Sequence, residues 1–142
     1  MTDADLKKVL TAIKTIAIIG AKDKAGQPVD RVGRYLLQAG YTVIPVHPTR
    51  KDVWGLTTYQ TVGELPETPD AVVLFRASEY CAAHAREVLG LKSPPKVFWM
   101  QEGISCPESK ALMEQAGVAV VQNLCIKTEH ERLLAGRPLG KL

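Results

Sequence analysis

Two kinds of chemistry lie within reach of the side chains in this sequence: attack by a thiol, and the holding of an anion. Cys125, Glu129 and His130 fall close together, one potential nucleophile beside two potential bases. A cysteine attacks as its thiolate and needs a base or cation within hydrogen-bond reach, so nearness in sequence does not by itself make a dyad. Cys106 stands before Pro107 at a predicted helix start, where the dipole favours a thiolate; an ordinary packed thiol fits the same pattern. His47, ahead of Pro48, is a candidate ligand contact, whereas His84 falls in mid-helix, where a surface position suits it. The cations point to the second chemistry. Arg50 and Lys51 are adjacent, Lys22 follows Gly20 and Ala21, Arg76 follows an apolar run, and Arg31 stands near the start of a predicted helix. Glycines and positive charges together hold a phosphate, through free backbone N–H groups, the dipole of a helix start and charge-assisted hydrogen bonds.

These residues need elements to bring them together. Thr15-Ile16-Ala17-Ile18-Ile19-Gly20 is a short β-branched run ending in glycine, the pattern of a strand buried on both faces of a parallel sheet. Further strands are predicted at Thr42 to Val46, Ala71 to Phe75, Lys96 to Met100 and Val118 to Val121. Helical spacing fills the intervals: Thr2 to Leu10, Val29 to Ala39 stopped by Gly40, Ser78 to Leu89 stopped by Gly90, and Thr128 to Ala135 stopped by Gly136 and Pro138. Ser105-Cys106-Pro107-Glu108 has capping-box spacing and opens a helix that ends at Gly117. Strands alternating with helices imply right-handed βαβ units. The expected fold is α/β, a Rossmann-like, doubly wound five-stranded parallel sheet in a three-layer α/β/α arrangement, forming one domain over residues 1–142.

Such folds bind ligands outside the carboxyl ends of their strands. The residues placed there are Gly20, Ala21, Lys22 and Asp23; His47, Pro48, Arg50 and Lys51; Phe75 and Arg76; Gln101 and Glu102; and the stretch from Gln122 to Cys125. The first loop is neither GxGxxG, since Gly20 and Gly26 are too far apart and Gly33 lies within the helix, nor a Walker A loop. NAD enzymes place an acid near the end of the second strand; here Arg50 and Lys51 precede Asp52. Basic groups there suit a phosphorylated ribose, as in NADP or coenzyme A, and a solvated loop is the plain alternative.

Composition excludes other classes. A net charge of +3 without a dense Lys/Arg tract does not favour nucleic acid. Cys81, Cys106 and Cys125 are scattered and form no CxxC, which argues against zinc and fits free thiols in a reducing cytoplasm. The charged amphipathic start is unlike a signal peptide, and no apolar run approaches a membrane span.

Taken together, IAIIGA (Ile16 to Ala21), VGRYLLQAGYTVIPVHP (Val32 to Pro48), WMQEGI (Trp99 to Ile104) and CIKTEH (Cys125 to His130) resemble the small stand-alone coenzyme A-binding proteins. The likeness extends more distantly to the N-terminal domain of the succinyl-CoA synthetase α subunit. It implies that Gly20, Ala21, Lys22 and Asp23 wrap the coenzyme A phosphates, that Arg50 or Lys51 contacts the nucleotide, and that Met100, Gln101 and Glu102 line the ligand. The chain departs from the family pattern at Lys22 for Ser, Gln27-Pro28-Val29 for Arg-Pro-Ser, His47-Pro48 for Asn-Pro and Asn123-Leu124-Cys125 for Asp-Arg-Cys. Arg31 or Lys22 then supplies the missing charge. The resemblance carries binding of coenzyme A or an acyl-CoA, not ligase chemistry, because the synthetase needs a phosphohistidine domain and a nucleotide-binding subunit. The competing expectations are an NADP-dependent oxidoreductase or redox-sensing domain, and an interaction subunit with a vestigial pocket. A protein partner or homo-oligomer stays open.

Overall fold

The computed structural model describes residues 1–134. Its strands are β1 (Thr15–Ile19), β2 (Thr42–Val46), β3 (Ala71–Leu74), β4 (Val97–Met100) and β5 (Ala119–Val121), and its helices are α1 (Asp3–Ala12), α2 (Pro28–Gln38), α3 (Ser78–Leu89), α4 (Pro107–Gln115) and α5 (Ile126–Leu134). The strands form one sheet in the order β2-β1-β3-β4-β5, every pairing parallel. This is the expected doubly wound α/β sheet.

Strand periodicity sorts the apolar residues into two cores. Ile16, Ile18, Val73 and Trp99 pack beneath α1, α2 and α5 with Leu10, Val32, Leu36 and Ile126. Ala17, Ile19, Val72, Leu74, Phe98 and Met100 face the other way, onto Cys81, Ala85 and Val88 of α3 and Met113 of α4. β3 and β4 are buried on both faces, so they read as unbroken apolar runs; β2, at an edge, leaves Thr42 exposed.

Local chemistry sets the helix ends. Thr2 caps α1 through a capping box with Asp5. α2 starts on Pro28 and stops where Gly40 adopts φ 102°. α4 differs from the sequence expectation. Its N-cap is Cys106, whose Sγ accepts from the Ser109 N–H at 3.4 Å, and Glu108 pairs with Arg86 rather than closing a box with Ser105. α5 begins two residues before the predicted Thr128, because Gln101 supplies a cap from another strand. The predicted stop at Gly136 and Pro138 lies outside the described residues. The first and last of these helices are clasped: Arg132 donates to both carboxylate oxygens of Asp3 at 2.8 and 2.9 Å and to Glu129 at 3.0 Å.

Candidate functional site

The strand order reverses beside β1, because the chain passes from β1 to β2 on one side and returns to β3 on the other. The crevice at this switch point opens between the ends of β1 and β3. Gly20 sits there with φ 89°, its N–H donating to Val46 O at 2.9 Å. A Cβ on Gly20 would stand 2.5 Å from the Phe75 carbonyl oxygen, so only glycine lets the ends of β1, β2 and β3 approach this closely. The next N–H, that of buried Ala21, also donates to Val46 O. Gly20 and Ala21 thus build the floor of the crevice with their backbone.

Positive charge gathers above this floor. The backbone N–H groups of Thr49 and Arg50 both donate to His47 Nδ1, at 3.1 and 3.0 Å. A nitrogen that accepts carries no proton, so the neutral ring holds its hydrogen on Nε2. Burial, then Arg50, Lys22 and Arg76, holds His47 below its ordinary pKa, which keeps it in that form. His47 therefore folds the chain after β2 back on itself, as an Asx side chain does in a turn. Arg50 lies 3.7 Å from Asp23, an ion pair joining the loops after β1 and β2. The Arg76 guanidinium stacks on Tyr80, 4.5 Å from the ring centre, and its buried Nε has no partner among the described residues. Lys51, next to Arg50 in sequence, is exposed.

Trp54 keys the loop carrying Arg50 onto α2. Its indole N–H donates to Asp30 Oδ1 at 2.9 Å, and buried Asp30 also accepts from Arg34. The ring lies against Gly33, where a Cβ would come within 2.2 Å of it. Asp52 and Trp54 both take positive φ, 54° and 53°, to make the turn.

Two cavities flank the crevice. One of about 220 Å³ is bounded by Ile19, Gly20, Val46, Pro48, Val62 and Arg76, with Gln60, Thr61, His84 and Glu87 at its polar edges. The other, about 470 Å³, lies between the starts of α2 and α5, with Arg31, Phe75, Gln101, Glu102, Cys125 and Thr128 on its wall. β4 positions that wall. Trp99 Nε1 donates to Leu124 O at 2.8 Å, Gln101 Oε1 accepts from Ile126 N at 2.9 Å, and Asn123, at φ 60°, accepts from the Gly103 N–H at 2.7 Å.

The predicted residues thus separate. Gly20, Pro48 and Arg76 line the smaller cavity, and Arg31, Phe75, Gln101 and Glu102 the larger; Lys22, Asp23, His47, Arg50 and Lys51 belong to the loops between. Met100 lines neither cavity: strand alternation turns it into the α3/α4 core, where it is fully buried. Cys125 does not meet His130 as a dyad. His130 is sealed in the other core with its Nδ1 hydrogen-bonded to the Tyr35 hydroxyl at 2.6 Å, and Glu129 is engaged by Arg132. Among the described residues no cluster of three or more His, Cys, Asp or Glu could hold a metal, and no helix is long and apolar enough to cross a membrane. The sequence reading missed Trp54, Asp30, Gln60, Thr61, Lys127 and Thr128. Gly33 was the one available signal, a glycine in mid-helix for which the sequence offered no turn.

Fold and crevice define a Rossmann-like α/β protein with an electropositive switch point. The chain belongs to the CoA binding domain family, whose model it matches over residues 14–131. It is 33% identical to the protein YneT of Bacillus subtilis (strain 168), over 89% of this chain and 93% of YneT. Among solved structures, cell-free ID.343 from Thermus thermophilus superposes with a TM-score of 0.86 at 36% identity, covering 94% of this chain and 99% of that one. The dinucleotide-forming acetyl-coenzyme A synthetase 1 of Ca. Korarchaeum cryptofilum, in complex with phosphate and ADP, shares the fold, with a TM-score of 0.68 at 20% identity over 82% of this chain and 28% of the enzyme.

Proposed function

We propose that the chain binds coenzyme A, free or acylated, across the carboxyl edge of its sheet, and that it works as a binding module rather than an enzyme. One observation carries the reading: Lys22, Arg50 and Arg76 surround a neutral His47 at the switch point, between a small cavity and a larger one. Coenzyme A matches this division, with an aromatic base at one end, phosphates in the middle and an uncharged arm at the other. The smaller cavity has apolar walls and polar edges, which suit an adenine. Gly20, Ala21, Lys22 and Asp23 would face the phosphates and Arg50 or Lys51 the ribose phosphate, while the buried Nε of Arg76 has no partner among the described residues. Phe75, Gln101, Glu102 and Arg31 would flank the arm in the larger cavity. A binding role is supported by the engagement of His130 with Tyr35 and of Glu129 with Arg132, the two bases that follow Cys125 in sequence.

Calorimetry with coenzyme A, dephospho-coenzyme A and NADP tests the reading, on native protein and an Arg50→Ala/Lys51→Ala variant. Losing a charge-assisted contact should weaken coenzyme A binding by about 1–3 kcal/mol, or roughly tenfold to a hundredfold. Dephospho-coenzyme A should bind native protein more weakly, and the gap should narrow in the variant. Equal affinity for both forms removes the role of Arg50 and Lys51; tighter binding of NADP overturns the function.

A further inference from the structure

The larger cavity ends in hydrogen-bond donors that no described residue uses. Gln101 is only 3% exposed, yet it lines this cavity. Its orientation is settled by Ile126, whose backbone N–H can only donate; Oε1 accepts from it at 2.9 Å, so Nε2 is the other end of the amide. Among the described residues Nε2 makes no hydrogen bond. The first turn of α5 adds the backbone N–H groups of Lys127 and Thr128, which precede the point where intrahelical bonding begins and have no backbone partner among the described residues. Both residues line the same cavity. A nearly buried amide that keeps two donors free next to unsatisfied backbone N–H groups asks for an acceptor oxygen. The one carboxylate on the cavity wall, Glu102, is exposed.

We propose that this end of the cavity is an acyl subsite, where Gln101 Nε2 and the Lys127 and Thr128 N–H groups receive the carbonyl oxygen of an acyl thioester. The protein would then select acyl-coenzyme A over the free thiol. This rests on the coenzyme A reading above and adds to it which form is held.

Three ligands separate the two ideas: coenzyme A, acetyl-coenzyme A, and S-ethyl-coenzyme A, in which a methylene replaces the carbonyl. On native protein acetyl-coenzyme A should bind about three- to tenfold more tightly than the other two, the worth of a net hydrogen bond or somewhat more. Gln101→Glu keeps an acceptor for Ile126 and removes the donors, so it retains the structural role of the side chain. In that variant the preference for acetyl-coenzyme A should vanish while the melting temperature stays close to native. Equal binding of all three ligands by native protein overturns the proposal, and this comparison needs no variant to fold. An acetyl-coenzyme A preference that persists in Gln101→Glu also overturns it, because the Gln101 donors would then play no part; the added carboxylate lowers affinity for all three anionic ligands alike, so the readout is their ratio. If none of the three binds native protein, the coenzyme A reading itself has failed.

Discussion

Gly33→Ala should destabilise this protein, although the same change in an ordinary helix interior stabilises by about 0.5–1 kcal/mol. The added Cβ would lie 2.2 Å from the Trp54 ring, so the indole must leave its seat on α2. That movement breaks the bond from Trp54 Nε1 to Asp30, a hydrogen bond to a charged acceptor that contributes about 1.5–3 kcal/mol. Part of the indole's packing goes with it. Set against the helix-propensity gain, the net loss is about 1–3 kcal/mol, or about 3–12 °C in Tm for a chain of this size. The loop bearing His47 and Arg50 also loses its anchor, so coenzyme A binding should weaken in the same variant. Thermal melts of Gly33→Ala, Trp54→Ala and the double variant form a cycle that isolates the clash. Once the indole is absent, Gly33→Ala should be neutral or stabilising. A rise in Tm for Gly33→Ala in the native background, or the same sign of effect in both backgrounds, refutes the reasoning.

Gly20→Ala places a Cβ 2.5 Å from a backbone oxygen at φ 89°, where neither partner can give way. It should cost about 2–4 kcal/mol by chemical denaturation and abolish measurable coenzyme A binding by calorimetry. His47→Ala removes the acceptor for the Thr49 and Arg50 N–H groups and should cost about 1 kcal/mol, with several-fold weaker coenzyme A binding; His47→Asn, which can form the same turn, should recover most of both. Stability should also fall on mild acidification. His47 is held below its ordinary 6.5 by burial and by Arg50, Lys22 and Arg76, and His130 is held below it by burial. Both therefore bind more protons unfolded than folded near that pH, so their stabilising contribution is present above 6.5 and is lost as pH falls toward the depressed values. Melts between about pH 8 and about pH 5 should show Tm dropping below about 6.5, less steeply in His47→Asn.

The sheet was legible because its physics is local. Short apolar runs of β-branched and aromatic residues located all five strands, the first of them ending in glycine, and strand alternation assigned their faces once the helices were in place. The same periodicity would have warned that Met100 turns inward. Boundaries set by contacts distant in sequence were not legible. α5 starts early because Gln101, on another strand's loop, caps Ile126, and α4 is capped by a cysteine sulfur, an unusual acceptor. The ring of residues after the strands was readable from the binding rule for this fold. The interlock of Asp30, Gly33 and Trp54 was not, because a mid-helix glycine announces a close approach without naming the side chain that makes it. Nor could spacing tell that His130 belongs to Tyr35 rather than to Cys125.

The clasp between Asp3 and Arg132 bears on the order in which the molecule is completed. Chains emerge from the ribosome N-terminus first, and a contact this distant in sequence closes late. Until α5 arrives, α1 lacks its ion-pair partner, and the apolar stripe of Leu6 and Leu10 lacks Ile126 and Leu134 in the core they share. β1 likewise waits for both of its neighbours, β2 and β3. The crevice floor at Gly20 can therefore form in a nascent chain that still lacks the donors of Lys127 and Thr128. On the binding reading proposed above, a ligand that spans the crevice floor and α5 needs that helix docked, so its presence during synthesis would favour the finished fold over its partly assembled forms.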